Sequence, residues 1–141
     1  IFFQLNGNDI GILTRKEQMT KLLVYGTLKS DGALHKALEG SKLIDKNYIT
    51  FSKRFVMTSA GGNSFPYIYE KENGGFAVKG ELYEVNDDTL KHTNMIELGA
   101  GYHFKEIDTD VFGYVYPEKV GQLSKGVVLD YENKFWEWQN V

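Results

Sequence analysis

One stretch of this chain limits its fold more than any other. Residues 75–85 form an apolar-rich run long enough for a single extended strand. Asn86 follows directly, then Asp87 and Asp88, which predicts an N-cap and an acidic first helical turn. Leu90, Asn94 and Glu97 then recur at i, i+4 and i+7, with Met95 and Leu98 flanking that stripe and Gly99 and Gly101 predicted to end it. The strand thus runs straight into a helix. Gly80, inside the strand, predicts a bulge or a close backbone approach.

The rest of the chain is mostly strand-like. Residues 21–25, 41–48, 50–57, 104–116 and 126–130 read as strands, and Pro66 limits 67–69 to a short or edge strand. Residues 59–64 form a turn-rich loop and 70–75 a hairpin-type turn. Residues 33–38 predict a short helix with Ala33, Leu34, Ala37 and Leu38 on one face and Gly40 as C-cap. Phe135-Trp136-Glu137-Trp138 reads as an aromatic tail docked on the body. Strand and helix do not alternate regularly, which argues against a doubly wound parallel sheet. The expectation is an α+β fold, a small mixed β-barrel with short peripheral helices.

Met19-Thr20-Lys21 looks like a natural start. Residues 1–18 are therefore read as an N-terminal extension, in which Asn6-Gly7-Asn8-Asp9 would allow a hairpin, and residues 19–141 as a single domain. The absence of cysteine excludes disulfides, thiolate metal sites and a cysteine nucleophile. A net charge of -3, with Lys and Arg interleaved among acids, argues against a nucleic-acid partner. No run approaches the ~20 apolar residues of a membrane span, and residues 1–3 lack the order of a secretory signal. The reading is a cytoplasmic, soluble protein without a membrane partner, its oligomeric state left open.

Two segments could carry chemistry. Val24-Tyr25-Gly26-Thr27-Leu28-Lys29 ends the first strand, where a glycine lets successive backbone N–H groups turn into one concavity and bind an anion. The segment lacks both the Gly-Lys-Ser/Thr ending of a Walker A loop and the dinucleotide fingerprint. Glu97 lies on a partly apolar helix stripe, where desolvation raises a carboxylate pKa toward the range useful for proton transfer. His35, His92 and His103 show no metal-ligand spacing and read as surface or loop residues, so no metal and no cofactor is expected. No serine lies in a nucleophile elbow.

Taken together, these segments resemble the γ-glutamylcyclotransferase-like family. Val24-Tyr25-Gly26-Thr27-Leu28 matches its Tyr-Gly-Xaa-Leu signature, residues 80–85 its internal strand, and residues 86–97 the following helix. Phe65-Pro66-Tyr67 and Tyr102-His103-Phe104-Lys105 fall where the family has its Phe/Tyr-Pro and Tyr-Xaa-Arg segments. Thr93-Asn94 replaces the usual Leu-Asp, and Lys105 is nearest to the usual Arg. The resemblance implies release of 5-oxoproline from a small-molecule γ-glutamyl amine or peptide. Glu97 would be the acid/base, and Tyr25, Gly26, Thr27, Leu28 and Tyr102 the substrate-binding residues. Pocket walls are expected from residues 59–69 and the C-terminal aromatics. The alternatives are an inactive member binding a small anionic ligand, and an interaction protein with a protein partner.

Overall fold

The computed structural model describes residues 18–60 and 64–140. Its strands are β1 (Met19–Val24), β2 (Lys42–Ile49), β3 (Phe55–Ser59), β4 (Pro66–Glu70), β5 (Ala77–Asn86), β6 (His103–Asp108), β7 (Val111–Val115), β8 (Val127–Asp130) and β9 (Phe135–Trp138). The helix α1 covers Asp87–Gly99, and a single 3₁₀ turn covers His35–Leu38. The hairpin expected around residues 6–9, the rest of the predicted extension to residue 17, and the tip of the 59–64 loop lie outside the described residues.

Strand β5 is the spine, with different neighbours along its two edges. On one edge β2 runs antiparallel, from Lys42 opposite Glu84 to Ile49 opposite Lys79, and Thr50 continues the contact by donating its N–H to the Val78 carbonyl. On the other edge two strands meet end to end. Strand β1 runs antiparallel and finishes with Val24 opposite Glu81. Strand β9 runs parallel, with Phe135 opposite Ala77 and Trp136 opposite Val78. Their C-terminal ends converge at Gly80, where an added Cβ would lie 2.4 Å from the Val24 carbonyl oxygen. The close approach expected there is observed, and only glycine permits it.

Strand β7 lies parallel to β1 and antiparallel to β6; β8 pairs antiparallel with β9. The resulting seven-stranded mixed sheet curls into a half-barrel carrying α1, while β3 and β4 form a separate two-stranded sheet. The fold is α+β, as expected, with the barrel half-formed. Strand β1 is buried on both faces, which explains its unbroken apolar run. Leu23 joins Phe55, Met57, Ile68, Val78, Trp136 and Trp138 in one core. Leu22 and Val24 point the other way, to Leu28, Leu38, Val85 and Tyr114.

Several local expectations change. Residues 50–54 are not strand: Asp108 accepts from the N–H groups of Phe51 and Ser52 and from Tyr48 Oη, which pulls the chain out of pairing. Residues 104–116 split into a hairpin at Asp110, whose φ is +60°. Residues 70–75 do turn, but β4 and β5 do not pair with each other; β4 pairs with β3. The helix expected over 33–38 shortens to the 3₁₀ turn, with Leu38 its buried residue. The aromatic tail, expected to dock on the body, is itself strand β9.

Candidate active site

The loop after β1 is shaped by its own carbonyls. The Gly26 oxygen accepts from the Lys29 N–H at 3.0 Å, and Thr27 O accepts from the Leu34 N–H at 2.9 Å. Leu28 O accepts from His35 Nδ1 at 3.0 Å. The N–H groups of Gly26, Thr27 and Leu28 donate to no acceptor among the described residues. A Cβ on Gly26 would stand 2.6 Å from Pro66 Cγ, so a glycine lets the loop lie against the start of β4.

Helix α1 brings the carboxylate. Asn86 Oδ1 accepts from the Thr89 N–H at 2.9 Å, the expected cap. At the other end, the N–H of Gly101 donates to Leu98 O and the N–H of Tyr102 to Glu97 O, both at 3.1 Å, with Gly101 at φ +97°. This is a Schellman stop, and it folds the residue after the glycine back against the last turn. Tyr102 is thereby set beside Glu97. Gly101 ends the helix, whereas Gly99 is still within it.

The helix is fastened to the sheet by a polar chain. Thr93 Oγ1 and Tyr114 Oη lie 2.7 Å apart, Tyr114 Oη donates to Asn94 Oδ1 at 2.7 Å, and the Tyr114 carbonyl accepts from Tyr25 Oη at 2.7 Å. Thr93 is fully buried. The Thr93-Asn94 pair that departs from the family pattern is therefore a helix-to-sheet anchor. Met95 and Leu98, expected to flank the stripe, are exposed instead. Ile96 takes the apolar position beside Glu97.

These elements enclose a cavity of about 210 Å³ lined by the Tyr25–Leu28 segment, Leu34, Phe65, Pro66, Ile96, Glu97, Ala100, Tyr102 and Tyr114. Every predicted site residue, Tyr25, Gly26, Thr27, Leu28, Glu97 and Tyr102, borders it. Burial raises the Glu97 pKa to about 7. No hydrogen-bond donor among the described residues reaches its carboxylate. Tyr102 is held protonated by burial first and by the nearby Glu97 second, and its hydroxyl donates to the Pro66 carbonyl at 2.5 Å. Tyr25 is likewise pushed up by burial, then by Tyr102 and Glu97. Its hydroxyl is engaged by Tyr114, so Tyr25 contributes a wall.

The wall expected from residues 59–69 is represented by Phe65 and Pro66. The C-terminal aromatics are not part of it: Trp136 and Trp138 are in the core. Lys105 pairs with Glu70 on the surface, away from the cavity. Ile96, Ala100 and Tyr114 were not singled out from the sequence, and Leu34 was read only as part of a helix face. Strand register brings in Tyr114, the last turn of α1 brings in Ile96 and Ala100, and the Leu34 N–H bond to Thr27 O brings in Leu34.

Known proteins share this sequence pattern and fold. A family model described as gamma-glutamyl cyclotransferase, AIG2-like, matches residues 22–137. The chain belongs to this family. A protein of Pyrococcus horikoshii named "Putative gamma-glutamylcyclotransferase" is 30% identical over 114 residues, which cover 81% of this chain and 90% of the relative. The crystal structure of an uncharacterized protein from the same organism superposes with a TM-score of 0.61 at 28% identity, over 75% of this chain and 86% of the other. An AIG2-like protein of Mus musculus superposes with a TM-score of 0.60 at 22% identity, over 72% and 80% of the two chains, and so shares the fold. In this gamma-glutamyl cyclotransferase-family chain, no described helix is long and apolar enough to cross a membrane. Among the described residues, no three His, Asp or Glu side chains are grouped as metal ligands.

Proposed function

We propose that this chain releases 5-oxoproline from a γ-glutamyl amine or peptide, with Glu97 as acid and base. The observation that carries the reading is one carboxylate, raised to about 7 by burial, bordering the same cavity as the free amides of residues 26–28. The family membership supports the same reading. In it, the Gly26, Thr27 and Leu28 amides hold the substrate α-carboxylate, as successive backbone N–H groups do for anions. Tyr25 and Tyr102 form walls around the glutamyl chain.

The ionised Glu97 carboxylate takes a proton from the substrate α-amine. The amine nitrogen attacks the γ-carbonyl carbon and a new C–N bond closes a five-membered ring. The former γ C–N bond breaks, and Glu97 returns the proton to the departing nitrogen. The products are 5-oxoproline and a free amine. Holding the amine against its own carbonyl lowers the entropic part of the barrier. The test is 5-oxoproline release from a panel of γ-glutamyl amines and peptides, with wild type beside Glu97→Gln. A Glu97→Gln variant that matches wild type sinks the role of Glu97. No product from any substrate with wild type sinks the enzyme reading.

A further inference from the structure

Residues at the loop that do not line the cavity supply a second set of contacts. They arise where the C-terminal ends of β1 and β9 converge. Lys29 Nζ donates to the Trp138 carbonyl at 2.6 Å. Beyond β9, Asn140 reaches across the base of the loop. Its carboxamide can point only one way. The Trp138 indole N–H is a donor alone, so it faces Asn140 Oδ1, at 3.0 Å. Asn140 Nδ2 then donates to the Gly26 carbonyl at 3.0 Å and to Asp31 Oδ1 at 2.9 Å. Trp138 is 1% exposed, so this clasp is built on a fixed core residue.

The Gly26–Thr27 peptide is planar, and its N–H points opposite to its C=O. Asn140 and the Lys29 N–H both hold the Gly26 oxygen. The Thr27 N–H is thereby turned away from Asn140 and from the Lys29 N–H, and Thr27 itself borders the cavity. Gly26 is needed because of Pro66, yet a glycine leaves the adjoining peptide plane free to rotate. We propose that Asn140 is a positioning residue that fixes this peptide and so keeps the Thr27 amide aimed at the ligand carboxylate. The ligand in that statement rests on the proposed function; the fixing of the peptide does not.

The test uses Asn140→Asp, which keeps the acceptor for Trp138 and removes the two donor hydrogens, together with Asn140→Ala. In the ligand-free protein, the Thr27 amide NMR signal is expected to shift and broaden in both variants, while the β5 amides stay in place as a check on folding. An unchanged Thr27 signal in both variants overturns the proposal. With a γ-glutamyl substrate, KM is expected to rise about tenfold or more while kcat changes little, because the lost contact serves ground state and transition state alike. A perturbed Thr27 amide with KM unchanged overturns its role in holding the ligand. A perturbed amide in a protein with no turnover at all upholds the fixed peptide and removes the substrate reading instead.

Discussion

Two glutamates stand near the same loop, and only one of them is left unsatisfied. Glu81 is 5% exposed and saturated with donors. Its Oε1 accepts from the Ser30 N–H at 2.7 Å and from Tyr83 Oη at 2.9 Å, and its Oε2 accepts from Ser30 Oγ at 2.7 Å. Glu97 is half-buried, and no donor among the described residues reaches its carboxylate. Burial therefore acts on it unopposed, and its pKa rises to about 7. A carboxylate that is fully hydrogen-bonded holds structure; one that is desolvated and unpaired is available to exchange a proton.

The largest effect expected from this contrast is on turnover. Glu97→Gln is expected to lower kcat by about 10²–10⁴ while the fold is kept. Wild-type kcat/KM should rise as pH passes through about 7, since in the proposed mechanism Glu97 acts as base when ionised, and the variant should lack that limb. The effect on stability runs the other way. A carboxyl whose folded pKa lies above its unfolded value contributes most below the unfolded value, and that contribution is lost as pH rises through about 7. At pH 8 Glu97→Gln should therefore melt several degrees higher than wild type, and close to it at pH 4. Matched melting curves at the two pH values check the sign.

The same substitution at Glu81 should behave differently. In Glu81→Gln the amide oxygen can keep the Ser30 N–H and Tyr83 hydroxyl, and the new NH₂ can donate to Ser30 Oγ, which turns to accept. Turnover is expected to stay within about tenfold of wild type, far above Glu97→Gln. Glu81→Ala removes every acceptor and leaves the buried Tyr83 hydroxyl unpaired, at a cost of about 1–3 kcal/mol in stability. Denaturant unfolding of the Ala and Gln forms side by side decides it. A Glu81→Gln protein as inactive as Glu97→Gln would erase the distinction between the two acids.

That distinction was only half legible in the sequence. Glu97 could be found because it falls on a helix stripe whose cap, Asn86, and stop, Gly101, are local signals. The Tyr25–Leu28 loop could be found because a glycine follows an apolar strand. Glu81 could not be told from Glu84 by pattern, because both lie in one strand and only sheet register separates buried from half-buried. Asn140 was silent for a related reason. It reaches Gly26 across 114 positions of sequence, and the contact exists only because β1 and β9 end at the same level of β5. The break at residues 50–54 likewise depends on a partner far along the chain, Asp108, 57 positions from Phe51.

The smallest expected effect applies the same comparison to the tyrosine walls. Tyr102 borders the cavity beside Glu97, a place where a phenol could donate to a substrate. Its hydroxyl is already committed to the Pro66 carbonyl at 2.5 Å, and burial keeps it protonated. By the rule that separates the two glutamates, a satisfied group shapes the site and does not take part in the chemistry. Tyr102→Phe keeps the ring and leaves one backbone carbonyl without its partner. It should lower stability by about 0.5–1.5 kcal/mol and change kcat by no more than a few-fold. If kcat instead falls as far as in Glu97→Gln with KM unchanged, the hydroxyl must leave Pro66 for the substrate during turnover. The wall would then extend to a moving donor, and hydrogen-bond satisfaction in the resting site would no longer sort structural groups from reacting ones.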